Sequence, residues 1–342
     1  MTRRQTLRAF QRELDRLEPA LARAFQEAVQ DIRSSAQRDV IIAAIERQDV
    51  EAVIQALRLG REFFAPLDAR IEQSFIQGAL WQMGQVPKKI GPEGLNLIVR
   101  FDQRNPRAES WTRERGATLV TETTADQRQL VREAVEDGIA TGRGAARISR
   151  DLIGTLQGNE RRGGLIGLHS RQAEAVRRAR AELSDPDAMR AYLSRTRRDK
   201  RFDRTVAKAI REGNPLNAAQ VDKITRRYAD RLLQTRGNRI ARTEAHNAFS
   251  AGRNEAVMQM VEGGQVPPSA IKLVWQATVS RRTRDTHLAM NGMEVPYGQP
   301  FQSPSGALLA FPGDTSLGAP AEETINCRCG VRAEIDFVSL AR

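Results

Sequence analysis

Apolar residues recur at steps of three and four through the first part of the chain, the mark of helices with one buried face. Phe10, Leu14, Leu17, Leu21, Phe25, Val29 and Ile32 form one such stripe, continued by Val40–Ile45. Residues 2–48 therefore read as helix, with a break or a new first turn expected at Pro19. Asp49 is placed to cap a short helix that ends at Gly60, and Pro66 to open another that ends near Gly84. Residues 85–96 are dense in Gly and Pro and read as a linker, followed by a short strand or arm at Leu97–Phe101. The helical pattern returns from Asn105. Thr124 or Asp126 is the expected cap of a helix over 128–140, and Gly154 the stop of an amphipathic helix over 143–153. Residues 158–164 read as a loop, and Ser170 as the cap of a helix over 171–183, with His169 a turn residue. Asn217 starts a helix over 218–235 that Gly237 should end. A further helix over 240–262 carries a small-residue face of Ala241, Ala245, Ala248, Ala251 and Ala256.

From Ile271 the period shortens. Ile271–Val279 alternates as a strand does, Arg284–Met290 suits a short helix, and Asn291-Gly292 marks a turn. Residues 300–310 read as a hairpin around Ser305-Gly306, anchored by Phe301 and by Leu308 or Phe311, and Cys329–Phe337 as a closing strand. The fold class is α+β: mainly α-helical N-terminal and middle regions with a small mixed α+β C-terminal domain. The linear division is an N-terminal helical region (1–84), a linker or arm (85–104), a basic helical region (105–240) and a C-terminal α+β domain (241–342).

Charge sharpens this division. The net charge of +12 over 342 residues is concentrated in residues 141–240, which carry 24 Lys/Arg against 11 Asp/Glu, a net of +13. Such a block points to a polyanion, nucleic acid first among them, although solvated helix faces are the plainer account. The candidate phosphate contacts are Arg177 and Arg178 on the Ala/Arg helix, and Arg195, Arg197, Arg198, Lys200, Arg201 and Arg204 in the sharpest basic run. Few aromatic residues stand near that run, so backbone-phosphate contact without sequence reading fits better than base stacking. No apolar run is long enough to span a membrane, and none follows the basic N-terminus as a secretory signal would require. Two cysteines are too few for a disulfide framework, which favours assembly in a reducing cytoplasm.

Both cysteines stand in Asn326-Cys327-Arg328-Cys329. A strand would turn both sulfurs to one face, and His287 is the natural third party. Together they are the one metal-type set, a candidate structural zinc site with Asp285 or Asp314 considered as a fourth ligand. Alternatively His287 hydrogen-bonds within the core and the cysteines pack as small apolar groups. Arg281, Arg282, Arg284 and Asp285 read as an internal salt-bridge cluster in preference to a phosphate contact. Gly142-x-Gly144 lacks the preceding strand and third glycine of a nucleotide site, and no Ser/His/Asp or paired-carboxylate set suggests catalysis.

The run Trp275, Ser280-Arg281, Thr283-Arg284-Asp285, His287, then Asn291-Gly292, Pro312-Gly313-Asp314 and Asn326–Cys329 resembles the phage Mu F-like head morphogenesis family. The likeness extends upstream to Ile240–Glu244, Ala248 and Gly252-Arg253, and to Ile166–Gln172, over roughly residues 110–336. Some relatives carry Pro-x-His where this chain has Pro312-Gly313-Asp314, which removes one expected metal ligand. The resemblance implies a minor head protein in the virion interior near the portal, with a role in head assembly; the lack of a catalytic residue set separately makes an enzyme the lesser expectation. The implied partners are portal, capsid or scaffold proteins and packaged double-stranded DNA. The alternative is a metal-dependent nuclease or toxin-like transferase carrying a Mu F-like domain.

Overall fold

A computed structural model of the chain describes residues 3–90 and 95–337. It opens with α1 (Arg3–Ser35), α2 (Arg38–Glu46), α3 (Val50–Ala56) and α4 (Ala65–Met83). A short antiparallel pair, β1 (Lys89–Ile90) and β2 (Leu95–Asn96), leads to α5 (Pro106–Ala140). Next come α6 (Ala145–Ile153) and the hairpin of β3 (Thr155–Gln157) and β4 (Glu160–Arg162). The helices α7 (Ser170–Ser184), α8 (Met189–Ser194), α9 (Asp203–Glu212) and the 45-residue α10 (Ala218–Glu262) follow. The last part holds β5 (Ile271–Gln276), α11 (Asp285–Ala289), β6 (Glu294–Pro296), β7 (Phe301–Gln302), β8 (Leu308–Leu309), α12 (Ala321–Thr324) and β9 (Gly330–Ile335). The fold is thus mainly helical α+β, with small antiparallel sheets in the C-terminal region. Among the described residues no helix is long and apolar enough to cross a membrane.

Contacts divide the chain into two compact units, each discontinuous in sequence: Met1–Leu21, Leu67–Gly116 and Asn238–Arg342 in the first, Ala22–Pro66 and Ala117–Gly237 in the second. The boundaries at 84, 104 and 240 read from the sequence follow the chain linearly instead.

In the first unit β5 is the central strand of an antiparallel sheet in the order β6-β5-β9. Trp275, Met290, Phe301 and Leu309 are buried together with Met260 and Val266. Strand β5 does not alternate in burial, because Val274, Trp275 and Gln276 are all enclosed. In the hairpin Phe301 and Phe311 are buried, whereas Leu308 is 40% exposed and Leu309 takes the inward place. The expected strand or arm after the linker is an arm: Asp102 exchanges hydrogen bonds with the Gln259 side chain (2.8 and 3.0 Å), and Phe101 packs on Phe75. The small-residue face of α10 is buried at Ala241, Ala245, Ala248, Ala251 and Ala256. It also approaches α4 closely. A Cβ built on Gly252 would fall far inside van der Waals contact distance of the Phe75 carbonyl oxygen, and one on Gly78 would collide with the Phe249 carbonyl.

In the second unit Arg33 is fully buried and serves the loop after β4, donating to the carbonyls of Gly164 (2.8 Å) and Ile166 (3.1 Å). Burial pushes its guanidinium down to about 10, so it remains charged at neutral pH. Gln127 secures the same loop, accepting from Gly167 N (2.6 Å) and donating to Leu168 O (2.6 Å).

Three expected helix ends are absent. Helix α1 runs through Pro19: the lost backbone bond costs about 3 kcal/mol. Burial of Leu14 and Leu21 on the same helix returns about 1.5–3 kcal/mol each. Helix α5 runs from Pro106 straight through Thr124 and Asp126, so neither starts a helix, and Asp126 instead pairs with Arg236 (3.0 Å). Helix α10 passes Gly237, which gives room in place of a stop: a Cβ there would lie 3.3 Å from Phe25 Cδ1. Elsewhere the local chemistry agrees more closely. Asp49 accepts from Ala52 N (2.9 Å), though its helix ends at Ala56, and Asn217 accepts from Gln220 N (2.9 Å). Helix α7 is capped one residue early by His169, which shares a capping box with Gln172, so Ser170 is its first residue. The expected loop at 158–164 contains a hairpin turning at Gly158, whose φ is +63°.

The close approach of α4 and α10 yields a stability prediction. Gly252→Ala should destabilise the protein by about 3 kcal/mol or more, because backbone atoms must move. Gly84→Ala, whose Cβ would meet its neighbours at 3.5 Å, should change stability by about 0.5 kcal/mol or less. Urea midpoints of the two variants would check this, and equal midpoints would refute it.

Candidate functional site

The residues of the C-terminal motif converge in the first unit. Trp275, on the central strand, packs its ring against His287 (5.2 Å between centroids) and Phe301 (5.2 Å). Its neighbour α11 begins after a turn in which the Thr283 hydroxyl bonds the Thr278 carbonyl, and Arg284 bonds the Ile325 carbonyl. That turn delivers His287 into the core, 1% exposed. Cys327 and Cys329 lie on the extended segment just before β9, not in the strand itself. Both sulfurs still face one target: each Sγ is 3.5 Å from His287 Nδ1. The three ligand atoms lie within 4.8 Å of one another, and both cysteines are free and buried.

Neither carboxylate considered as a fourth ligand joins them. Asp285 is exposed, and Asp314 accepts from Ala310 N (2.9 Å) and Ser316 N (2.8 Å), closing its own turn. Glu323, which the sequence reading missed, sits on the opposite side of the imidazole with Oε2 2.8 Å from Nε2. The contact is out of line with the N–H direction, so the pairing is chiefly electrostatic. Burial by itself would raise the Glu323 carboxyl. Donation from Ser305 (2.7 Å), the nearby His287 and donation from Ser303 (3.2 Å) and Thr286 (3.2 Å) outweigh it and hold the group below the usual carboxylate range. The one signal in the sequence was a Glu four residues ahead of Cys327. Burial pushes the Cys327 thiol up, while hydrogen bonding with Cys327 and with His287 draws Cys329 down.

The upstream motif residues hold this segment in place. Asn326 has a left-handed φ of +57° and donates its N–H to the Thr243 hydroxyl (3.2 Å). Arg328 pairs with Glu18 (3.0 Å) and Asp15 (3.3 Å), and Arg242 approaches the same Glu18. The buried Glu244 takes a two-pronged pair from Arg115 (2.6 and 2.7 Å). His246 lies 2.7 Å from the Cys329 carbonyl, and burial lowers it to about 4, so the neutral ring donates from Nε2. Gly313, at φ +90°, passes close enough that a Cβ would sit 2.9 Å from His246 Nδ1. Arg253, buried without a carboxylate partner among the described residues, lies over Trp81 (4.6 Å) and Phe10 (5.2 Å). It donates to Gln82 Oε1 (3.2 Å) and the Val331 carbonyl (2.6 Å). The salt-bridge cluster expected among Arg281, Arg282, Arg284 and Asp285 does not form among the described residues.

In the second unit half of the basic run, and both candidate arginines of α7, are paired with carboxylates. Arg177 and Arg178 share Glu174 (2.7 and 2.6 Å), Arg195 forks onto Glu182 (2.7 Å twice) and Arg198 onto Asp203 (2.9 Å twice). Exposed Arg201 pairs with Asp199 (2.6 Å) and draws its carboxyl down to about 2. Arg197, Lys200 and Arg204 are exposed and form no ion pair among the described residues. Beside them α10 presents Lys223, Arg227 and Arg231, exposed at a spacing of four. Lys223 Nζ lies 6.0 Å from the Phe202 ring, and Arg231 donates to the Arg198 carbonyl (3.1 Å). The i, i+4, i+8 spacing of these residues is legible in the sequence, outside the contiguous basic run.

Taken together, these features define two units, one α+β and closed by a Cys/His cluster, the other helical with a basic surface. Residues 200–332 match the family described as Phage Mu protein F like protein. The match covers less than half of the chain and begins at residue 200, not near 110, so Ile166–Gln172 lies outside it. No curated protein and no solved structure matches the chain.

Because Cys327 and Cys329 are 2% and 1% exposed, a thiol reagent should label the native protein far more slowly than the unfolded chain. In denaturant both cysteines should react at once. Rapid labelling of the native protein would contradict their enclosure.

Proposed function

We propose that the protein is a minor head protein of a tailed phage, structural and not enzymatic. On this reading it acts in head morphogenesis inside the capsid near the portal, alongside portal and other capsid or scaffold proteins. The observation that carries the reading is the match of residues 200–332 to the Mu F-like family. Convergence of the motif residues on one buried cluster supports it. Mass spectrometry of purified phage particles tests the location. The protein should be present at low copy relative to the major capsid protein, and absence from both procapsids and filled heads would overturn the reading.

Contact with packaged double-stranded DNA belongs to the same proposal. The favoured residues are Arg197, Lys200 and Arg204 with Lys223 and Arg227, because carboxylates engage the guanidinium groups of Arg177, Arg178, Arg195 and Arg198. Arg201 and Arg231 share Asp199 and contribute less. Binding should be weak, independent of sequence and salt-dependent, with log K falling by about 0.9 per log unit of salt for each phosphate contact. Replacing those five residues with Ala should flatten the slope by up to about 4.5, whereas Arg195→Ala should mainly lower stability. An unchanged slope in the fivefold variant would leave the surface as a solvated face.

A further inference from the structure

We infer that His287, Cys327 and Cys329 form the binding site of a thiophilic divalent cation, zinc being the natural occupant. A tetrahedral zinc ion bonds imidazole nitrogen at about 2.0–2.1 Å and thiolate at about 2.3 Å, which sets nitrogen-to-sulfur edges near 3.5 Å. Both Nδ1–Sγ separations are 3.5 Å before any ion is considered. Hydrogen bonding accounts for this less well. Nδ1 has one lone pair in the ring plane and can accept from one thiol, yet two sulfurs converge on it at equal distance. A cation at their common focus uses the lone pair and both sulfurs together.

The surroundings are those of a metal site. Glu323 sits against the far ring nitrogen, where a small reorientation of the ring would let the carboxylate accept its N–H, as carboxylates do behind metal-ligating histidines. Ser303, Ser305 and Thr286 in turn hold Glu323, and the Trp275 ring packs against the imidazole edge-on. The charge balances: binding displaces the two thiol protons to solvent, and two thiolates with a neutral imidazole offset the 2+ ion. Three protein ligands leave one tetrahedral position for a water molecule. Deep burial of both sulfurs argues against a cysteine nucleophile, which needs substrate access.

The test uses the full-length chain purified under reducing conditions. About one zinc per chain should be found by elemental analysis. Cobalt(II) added to the stripped protein should give thiolate-to-cobalt charge-transfer absorption with tetrahedral ligand-field bands. Cys327→Ser and Cys329→Ser should each weaken that absorption. Glu323→Gln, which keeps all three ligands, should lower metal affinity about 10–100-fold while circular dichroism stays native. If the serine variants fail to fold, the wild-type titration and Glu323→Gln still decide. A reduced, folded wild-type chain with neither zinc nor a cobalt charge-transfer band would overturn the inference. A Cys327–Cys329 disulfide forming readily, with chelators leaving the melting temperature unchanged, would replace it with a redox pair. None of these readouts depends on the location of the protein in a virion.

Discussion

Backbone contact between α4 and α10 constrains much of the first unit. Gly78 and Gly252 let the two helices meet with carbonyl oxygens where side chains would otherwise stand. The alanines of α10 extend the same low surface. Packing at this separation leaves no room for water, so each polar group carried inward must find a protein partner. Arg253 shows the consequence one residue after Gly252. Burial lowers its guanidinium to about 9, and the charge is held by two aromatic faces, Gln82 and a β9 carbonyl. Because that carbonyl belongs to Val331, the helix pairing also positions the strand that follows the two cysteines.

The C-terminal motif is best understood as a set of ties between segments far apart in sequence. Asn326 turns the chain, Arg328 reaches the acidic residues of α1, and the cysteines flanking it point the other way, to His287. Exposed ion pairs of this kind are individually worth little. The buried members set the geometry: His246 on the Cys329 carbonyl, Glu244 on Arg115, and Glu323 beside His287. Removing one partner of a buried pair leaves the other without solvation, which gives these contacts more weight than their number suggests.

In the second unit, charge count and charge availability diverge. The excess of +13 in residues 141–240 is a property of the sequence. How much of it faces solvent unpaired depends on which carboxylates the fold brings alongside. Glu182, Asp203 and Glu174 lie near their arginines in sequence, yet only the folded turns align them as two-pronged or shared acceptors. The cationic surface that remains is narrower than the run suggested and includes a face of α10 outside it.

Several features were legible in the residues themselves. Apolar periodicity identified the helices, Asp49 and Asn217 marked helix starts, and the Cys-x-Cys with one histidine identified a metal-type set. These are local properties, set by side-chain spacing and by donors within reach of the same turn. The sequence could not show that Pro19, Thr124 and Gly237 would fail to break, start or end a helix, because burial of neighbouring side chains outweighs a local boundary signal. Nor could it show that Glu323, and not Asp285 or Asp314, would stand beside His287. That choice depends on how α12 packs, and a carboxylate's partner is decided by distance in space. The chain's chemistry was therefore written in its residue types, while tertiary packing decided which of those groups met, since burial and counterions exist only once distant segments are brought together.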